Sequence, residues 1–511
     1  MVFSSVTFLF FYLPIVLTVY HLLFAPVSLG WHPAFWRRVA NGFLVLVSLT
    51  FYFWGEGWLL WILCTSMLID YVCALGIAGA LRPGPIGVLE RGGRRTLGQR
   101  LTLIVSLLSN LAFLGYFKYF NFGVDSYNQV VAAMGFSSAT LADVARVTLP
   151  LGISFYTFQS MSYTIDVYRG EVAATRNLID FTCCITAFPH LVAGPIIRYR
   201  DLATQATGRT IPLDMFVYGI QRFAIGMGKK VLIANTVAQA ADKIFALPTG
   251  QVTCGMAWLA GVTYTLQIYF DFSGYSDMAV GLGRMLGFEF TENFHYPYAA
   301  HSMQDFWRRW HISLSSWLRD YVYIPLGGSR GSTFRTYFNL VMVFFLCGLW
   351  HGACWSFVLW GLYHGLLLVI ERVGLLRWES RLGSIVGRAY TLLAVMVGWI
   401  LFRSESVATT VAYLWAMVGL GPSSAAGESV AWYATVDVQL GILAGVLFAT
   451  PVVPNLLARF HDTLARGPAP LAGTWITAAS TIRAAWLLSL LATCSALLVA
   501  GTHNPFIYFR F

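Results

Sequence analysis

The sequence predicts an all-α integral membrane protein, and three observations carry that reading. Only 11% of its 511 residues are charged while 57% are hydrophobic and 16% aromatic, whereas roughly a quarter of a soluble domain is charged. Apolar runs long enough to cross, or nearly cross, a bilayer recur from one end of the chain to the other. These runs are continuous, unlike the short alternating segments of a membrane β-barrel. With no water in the hydrocarbon to satisfy backbone groups, a helical bundle is the remaining solution. A soluble enzyme, a disordered chain and a nucleic-acid binder are excluded.

The runs lie near 4–24, 39–54, 58–80, 101–117, 149–167, 214–234, 255–271, 338–370, 389–402, 438–454 and 484–501. At about 20 residues per span they predict roughly ten to twelve transmembrane helices within a single polytopic domain over 1–511. The first run has no basic flank before it and no small-residue cleavage site, so it reads as a retained span. Lys and Arg number 33 against 23 Asp and Glu, a net charge of +10, which suits basic loops held in the cytoplasm near anionic lipid. Arg37 and Arg38 follow the first run, and Arg82, Arg91, Arg94, Arg95 and Arg100 share the 81–100 loop. The positive-inside rule puts both loops in the cytoplasm and the amino terminus outside. The apolar stretch 178–197 has basic residues on both flanks and holds Pro189, His190, Gly194 and Pro195. It reads as a re-entrant segment. Eight cysteines form no CxxC pair, and Cys64, Cys73, Cys347, Cys354 and Cys494 sit in apolar runs as small hydrophobes.

Polar residues concentrate between 267 and 353. An ionisable group at membrane depth costs about 2.5–3.5 kcal/mol on insertion scales, so each is a functional hypothesis. His351, between Trp350 and Gly352, reads either as a proton-transfer residue or as a helix-packing histidine. Gly348 and Gly352 would let a substrate approach the backbone. His311 lies in a segment, 300–337, that reads as cytoplasm-facing because of Arg308, Arg309, Arg319 and Arg330. Its aromatic residues, Trp310 among them, suggest short amphipathic helices dipping into the interface. The arginines fit an ordinary membrane surface or a site for a phosphate-bearing donor. Asp271 and Asp277, six residues apart around Gly274, would cap helices and support the site, or couple ions. No HExxH, CxxC, Walker or GxSxG pattern occurs, so no metal site is expected.

The stretches QIYFDFSGYSDMAVGLGRMLGFEFTENFHYPY, FWRRWHISLSSWLRDYVYIPLGGSRGS and CGLWHGACWSFVLWGLYHG resemble the membrane-bound O-acyltransferase family, in its bacterial branch that O-acetylates alginate. The likeness extends to MVFSS, YFKYFNFGVDS, LPLGISFYTFQSMSYTIDVYRG, FPHLVAGPIIRYRDL and the terminal NPFIYFRF, covering nearly the whole chain. The resemblance implies a multi-helix bundle around a central tunnel. His351, in the WHG motif, then matches the family catalytic residue, and His311 matches a second family polar position. The implied reaction moves acetyl groups from a cytoplasmic thioester, acetyl-CoA or another, across the bacterial inner membrane for O-acetylation of an exopolysaccharide of alginate or cellulose type. No cofactor is bound permanently. Arg308, Arg309, Arg330 and Trp310 are candidates for donor binding, and Asp271, Asp277 and Trp350 for support. Partners would be periplasmic SGNH-like acetyltransferases, the exopolysaccharide biosynthesis and secretion machinery, and membrane lipid, with no nucleic acid. The alternatives are a transporter coupled through Asp271, Asp277 and the histidines, or a structural subunit of a secretion complex.

Overall fold

A computed structural model describes residues 3–136, 139–141, 144–422, 429–465, 469–501 and 504. The first two residues of MVFSS and all of NPFIYFRF beyond Asn504 lie outside them. Among the described residues there is no β-strand. Seven helices among those residues are long and apolar enough to cross a membrane, or eight if Val436–Phe448 and Val452–Phe460, bent by 64°, form one span. One of the seven, Pro33–Ile77, has 45 residues, or about 68 Å at 1.5 Å per residue, twice the hydrocarbon thickness. It breaks at Gly57, whose φ of 58° and ψ of −130° favour glycine. Tyr52 shares a core cluster with Ile62 and Leu63, and the 39–54 and 58–80 runs lie on either side of this break. The chain divides into two compact units: Met1–Ile220 with Ala279–Thr291, and Gln221–Met278 with Glu292–Phe511.

In the first unit, polar side chains inside the helices find their partners in one another. The Asp70 carboxylate accepts from Ser106 Oγ at 2.6 Å, from Asn110 Nδ2 at 2.8 Å and from the Ser160 hydroxyl. Ser66 donates to Asn110 at 2.9 Å. This cluster ties Leu60–Ile77, Leu97–Leu114 and Ile153–Arg169 together. A second cluster forms around Arg209, which donates to Tyr20 Oη at 2.8 Å and Asn41 Oδ1 at 2.5 Å. Asn41 in turn donates to Asp180 at 2.6 Å. The 178–197 stretch gives a nine-residue helix, Leu178–Thr186, a break at Ala187, and the four-residue helix Phe188–Leu191. Residues 180–199 are buried throughout. Nine residues of helix rise about 14 Å, too little to cross, which agrees with a re-entrant path.

In the second unit, the helices Thr333–His351 and Trp355–Ile370 form a hairpin with glycine at its seam. A Cβ on Gly361 would lie 2.2 Å from Phe344 O, and one on Gly348 would lie 2.3 Å from Phe357 O. The space beside Gly352 is filled by the Phe357 ring, 2.3 Å from where its Cβ would be. The expectation that Gly348 and Gly352 open the backbone to a substrate is therefore corrected. Their missing side chains let two helices of the same chain touch.

Gly361→Ala should lower stability by about 1–3 kcal/mol through overpacking, read as a fall in the thermal midpoint of the detergent-solubilised protein. Asp70→Ala should lower it too, by about 1–3 kcal/mol for each buried donor left unsatisfied. An unchanged midpoint in either variant would contradict the packing described.

Candidate active site

The second unit gathers the sequence-predicted histidines around tryptophan rings. His351 ends the Thr333–His351 helix, where Gly352 turns extended at φ −169°. Its ring meets Trp350 at 4.9 Å between centroids, Trp360 at 4.9 Å and Phe402 at 5.3 Å, all edge to face. The ring of His311 meets the same Trp350 at 5.8 Å and Phe272 at 4.7 Å. Two imidazoles forty positions apart in sequence thus flank one indole. His351 keeps 6% of its surface exposed while His311 has none.

His311 is held with unusual tightness. Its backbone is left-handed at φ 44° and ψ 54°, a conformation that costs a side-chain-bearing residue about 1–3 kcal/mol. Backbone pairing over-determines it: Ile312 N donates to Asn293 O at 3.0 Å and His295 N donates to Arg309 O at 2.9 Å. The Asn293 side chain then fixes the imidazole. Its Oδ1 faces Ser313 N at 3.2 Å, Ser313 Oγ at 2.9 Å and His311 Nδ1 at 3.1 Å. The Ser313 N–H can only donate, so the atom facing it is the amide oxygen. His311 Nδ1 must therefore carry the proton, which leaves a lone pair on Nε2. Asn293 Nδ2 donates to Ser276 Oγ at 3.2 Å, anchoring the amide to the Cys254–Met285 helix. Among the described residues His311 Nε2 has no hydrogen-bond partner. Burial pushes the pKa of this imidazole down to about 3, so it is neutral at physiological pH and accepts rather than donates at Nε2.

The short helices that carry His311 are locked from below. Glu371 accepts from Met303 N at 2.6 Å and Gln304 N at 3.1 Å, covering two orphan donors at the start of Met303–Arg309. Trp310 stacks within this body, 4.8 Å from Trp399 and 5.6 Å from Phe306. Trp310, Phe306, Trp307, Trp317 and Tyr321 are buried. The two seven-residue helices, Met303–Arg309 and Ile312–Leu318, are as short as expected, but these aromatic faces turn inward and not toward a membrane surface. Trp310, a candidate for donor binding, thus lies inside this body. Arg308 and Arg330 are exposed, and Arg309 pairs with Asp305 at 2.8 Å.

Asp271 and Asp277 cap nothing. Both sit inside the Cys254–Met285 helix. Asp271 pairs with buried Lys230 at 2.6 Å, and Asp277 takes Arg222 at 2.8 Å and Lys229 at 2.7 Å. Gly274 between them is where a neighbouring backbone passes: a Cβ there would lie 2.7 Å from Gly226 O. The capping expectation fails because the helix continues through this stretch, and the carboxylates join it to cations on its neighbour. Their helix still serves the site through Ser276 and Phe272.

Three residues that sequence reasoning left unassigned belong to this body. Asn293 gave no signal beyond its place in TENFHYPY. Trp360 and His364 stand one turn apart on the Trp355–Ile370 helix, with rings 4.8 Å apart. That i, i+4 spacing was the available clue. Trp360 therefore touches both His351 and His364. The indole N–H groups of Trp307 and Trp360 have no hydrogen-bond partner among the described residues, so each can donate to a polarised oxygen. Among the same residues no group of three or more His, Cys, Asp or Glu side chains is arranged to hold a metal ion.

The helical architecture defines a multi-pass membrane protein, and comparison with known proteins makes its class specific. The model of the membrane-bound O-acyltransferase family matches residues 49–379, and the chain belongs to that family. It is a multi-pass membrane O-acyltransferase. It is 40% identical to a probable alginate O-acetylase of Pseudomonas aeruginosa, with all of both chains covered. It is 42% identical to the probable alginate O-acetylase of Pseudomonas putida over the same full extent. A peptidoglycan O-acetyltransferase of Helicobacter pylori is 33% identical over 82% of this chain and 80% of its own.

The low pKa of His311 has a consequence for stability. Between about pH 3 and 6.5 the unfolded chain holds a proton on this ring that the folded chain does not. Its contribution therefore falls as pH drops through 6.5 and is fully lost near 3. Unfolding midpoints measured from pH 7 to 4 should decline, and His311→Gln should flatten that decline. Asn293→Ala should slow acyl transfer more than it lowers the midpoint, because it releases the tautomer while leaving the ring in place; equal rates in wild type and variant would count against that role.

Proposed function

We propose that this protein is an O-acetyltransferase of the bacterial inner membrane that moves acetyl groups from a cytoplasmic thioester, acetyl-CoA or another, toward the hydroxyls of an exported polysaccharide. The observation that carries the reading is the meeting of His351 and His311 around Trp350, with the His311 Nε2 lone pair left open. The relatives named above act on alginate and on peptidoglycan, both sugar polymers, and that shared chemistry supports an acetylated polysaccharide as the destination. Alginate is the nearer assignment, and cellulose is a further one. Periplasmic SGNH-like acetyltransferases and the polysaccharide secretion machinery are the proposed partners.

In the proposed step the acceptor oxygen attacks the thioester carbonyl while His351 takes the hydroxyl proton. The C–S bond then breaks and the proton passes to the departing thiolate, giving an ester and a free thiol. His311 orients the acceptor by taking a hydrogen bond at Nε2 from a neighbouring hydroxyl, since the single proton of the reacting hydroxyl goes to His351. Of the two roles open to His311, positioning is favoured over protonating, since a ring with a pKa of about 3 holds no spare proton at neutral pH. Trp307 and Trp360 are the candidate donors to the oxygen on which charge develops. Arg308 and Arg330 are the proposed contacts for the phosphates of the donor, with Arg309 contributing only beyond its bond to Asp305.

A transporter coupled through Asp271 and Asp277 is less well supported, because both carboxylates are committed to cations of the same unit. Cells carrying His351→Ala should make polymer in normal yield with acetyl esters reduced by about 10²–10⁴-fold, and the variant should purify folded. Normal esterification would remove His351 from the mechanism. Loss of polymer with esters per sugar unchanged would point to a structural subunit.

A further inference from the structure

Away from the histidines, the first unit holds a cavity of about 800 Å³ lined by Arg91, Arg94, Arg95, Arg100, Arg169 and Arg200. One carboxylate, Glu171, lines it as well, and Arg200 already engages that group while lying 3.8 Å from Asp166 and 3.9 Å from Asp201. The cup is built, not a frayed loop. Arg95 donates to Tyr168 O at 2.7 Å, Glu90 O at 2.7 Å and Gly93 O at 3.1 Å, and its guanidinium lies 5.6 Å from the centre of the Tyr168 ring. Arg91 donates to Gly170 O at 3.3 Å. The loop presses so closely on the end of Ile153–Arg169 that a Cβ on Gly170 would lie 2.1 Å from Leu89 O.

With Arg95 and Arg91 acting as staples, Arg94 and Arg100 are left over. Both are exposed, and among the described residues neither side chain has a hydrogen-bond or ion-pair partner. Arg100 lies in the first turn of Leu97–Leu114, which has no acidic residue there, so its charge opposes the helix dipole. Like charges gathered in one concavity repel unless an anion joins them.

We propose that this cavity binds a phosphate-bearing anion, with Arg94 and Arg100 as its principal contacts. Guanidinium groups meet phosphate oxygens in paired, charge-assisted hydrogen bonds, and the volume suits a headgroup or a pyrophosphate-sized group. The phosphate belongs either to an acidic lipid or to a soluble ligand. The site is independent of the transfer reaction proposed above.

The test uses the full chain in nanodiscs of phosphatidylcholine, with inorganic pyrophosphate titrated calorimetrically. In a parallel arm, phosphatidylglycerol is added and its retention is counted by native mass spectrometry. Wild type should bind at least one of the two probes at one per chain, and R94Q/R100Q should weaken that binding by about tenfold or more. Arg38 and Arg82 are exposed arginines outside the cavity, and R38Q/R82Q should bind as wild type does. Pyrophosphate binding alone assigns a soluble phosphate, and phosphatidylglycerol retention alone assigns a lipid headgroup. The proposal is overturned if wild type takes neither probe, if R94Q/R100Q binds as wild type does, or if R38Q/R82Q loses as much.

Discussion

A chain this poor in charge has few polar groups to spare, and each one placed inside a helical body must find its partner within the protein. That constraint shapes both units. In the first, Asp70 collects hydroxyls and an amide from two neighbouring helices, and Arg209 collects Tyr20 and Asn41. In the second, Lys230 answers Asp271, and Asn293 answers His311. Where water cannot serve as the alternative partner, an unmade hydrogen bond is expensive. The helices are therefore held in register by a small number of polar contacts amid a large apolar surface. An apolar contact tolerates sliding, whereas a hydrogen bond in a low-dielectric interior does not.

The histidine site uses the same rule for a different end. Ser276, Asn293, Ser313 and His311 form a chain in which every polar atom but one is satisfied. The exception, among the described residues, is His311 Nε2. This open acceptor is the atom to which the proposed reaction assigns a substrate hydrogen bond. The rings around it, Trp350, Phe272 and Trp360 through His351, supply rigid walls with few rotamers to order on binding. The left-handed backbone at His311 fits this account, since backbone pairing on both sides holds a strained residue where its side chain is needed.

Much of the site was legible in the sequence. His351 and His311 stood out because an ionisable residue among aromatics and aliphatics has few innocent explanations, and the structure brings both to Trp350. Asn293 and Trp360 did not stand out, because an amide or an indole costs less to bury and leaves no anomaly in composition, whereas His364 carries the same anomaly as His351 and only the structure joins it to Trp360. Asp271 and Asp277 were noticed for the right reason and assigned the wrong role. Sequence shows a carboxylate next to glycine, but not that a second helix passes there with Lys229, Lys230 and Arg222. The same holds for Gly348 and Gly361, whose purpose depends on which backbone lies opposite.

By itself the sequence determined the solvent this protein lives in, the helical class and the break between the 39–54 and 58–80 runs, since those follow from how apolar residues are spaced along one dimension. It also marked the histidines, because charge and burial conflict locally. Only the tertiary structure decided which polar groups satisfy which, that His311 presents a bare Nε2, that the aromatic residues of 303–321 face inward, and that six arginines line one cavity. Those are properties of residues distant in the chain and adjacent in space. Spacing along a helix limits what they can reach, but only packing between helices selects the partner.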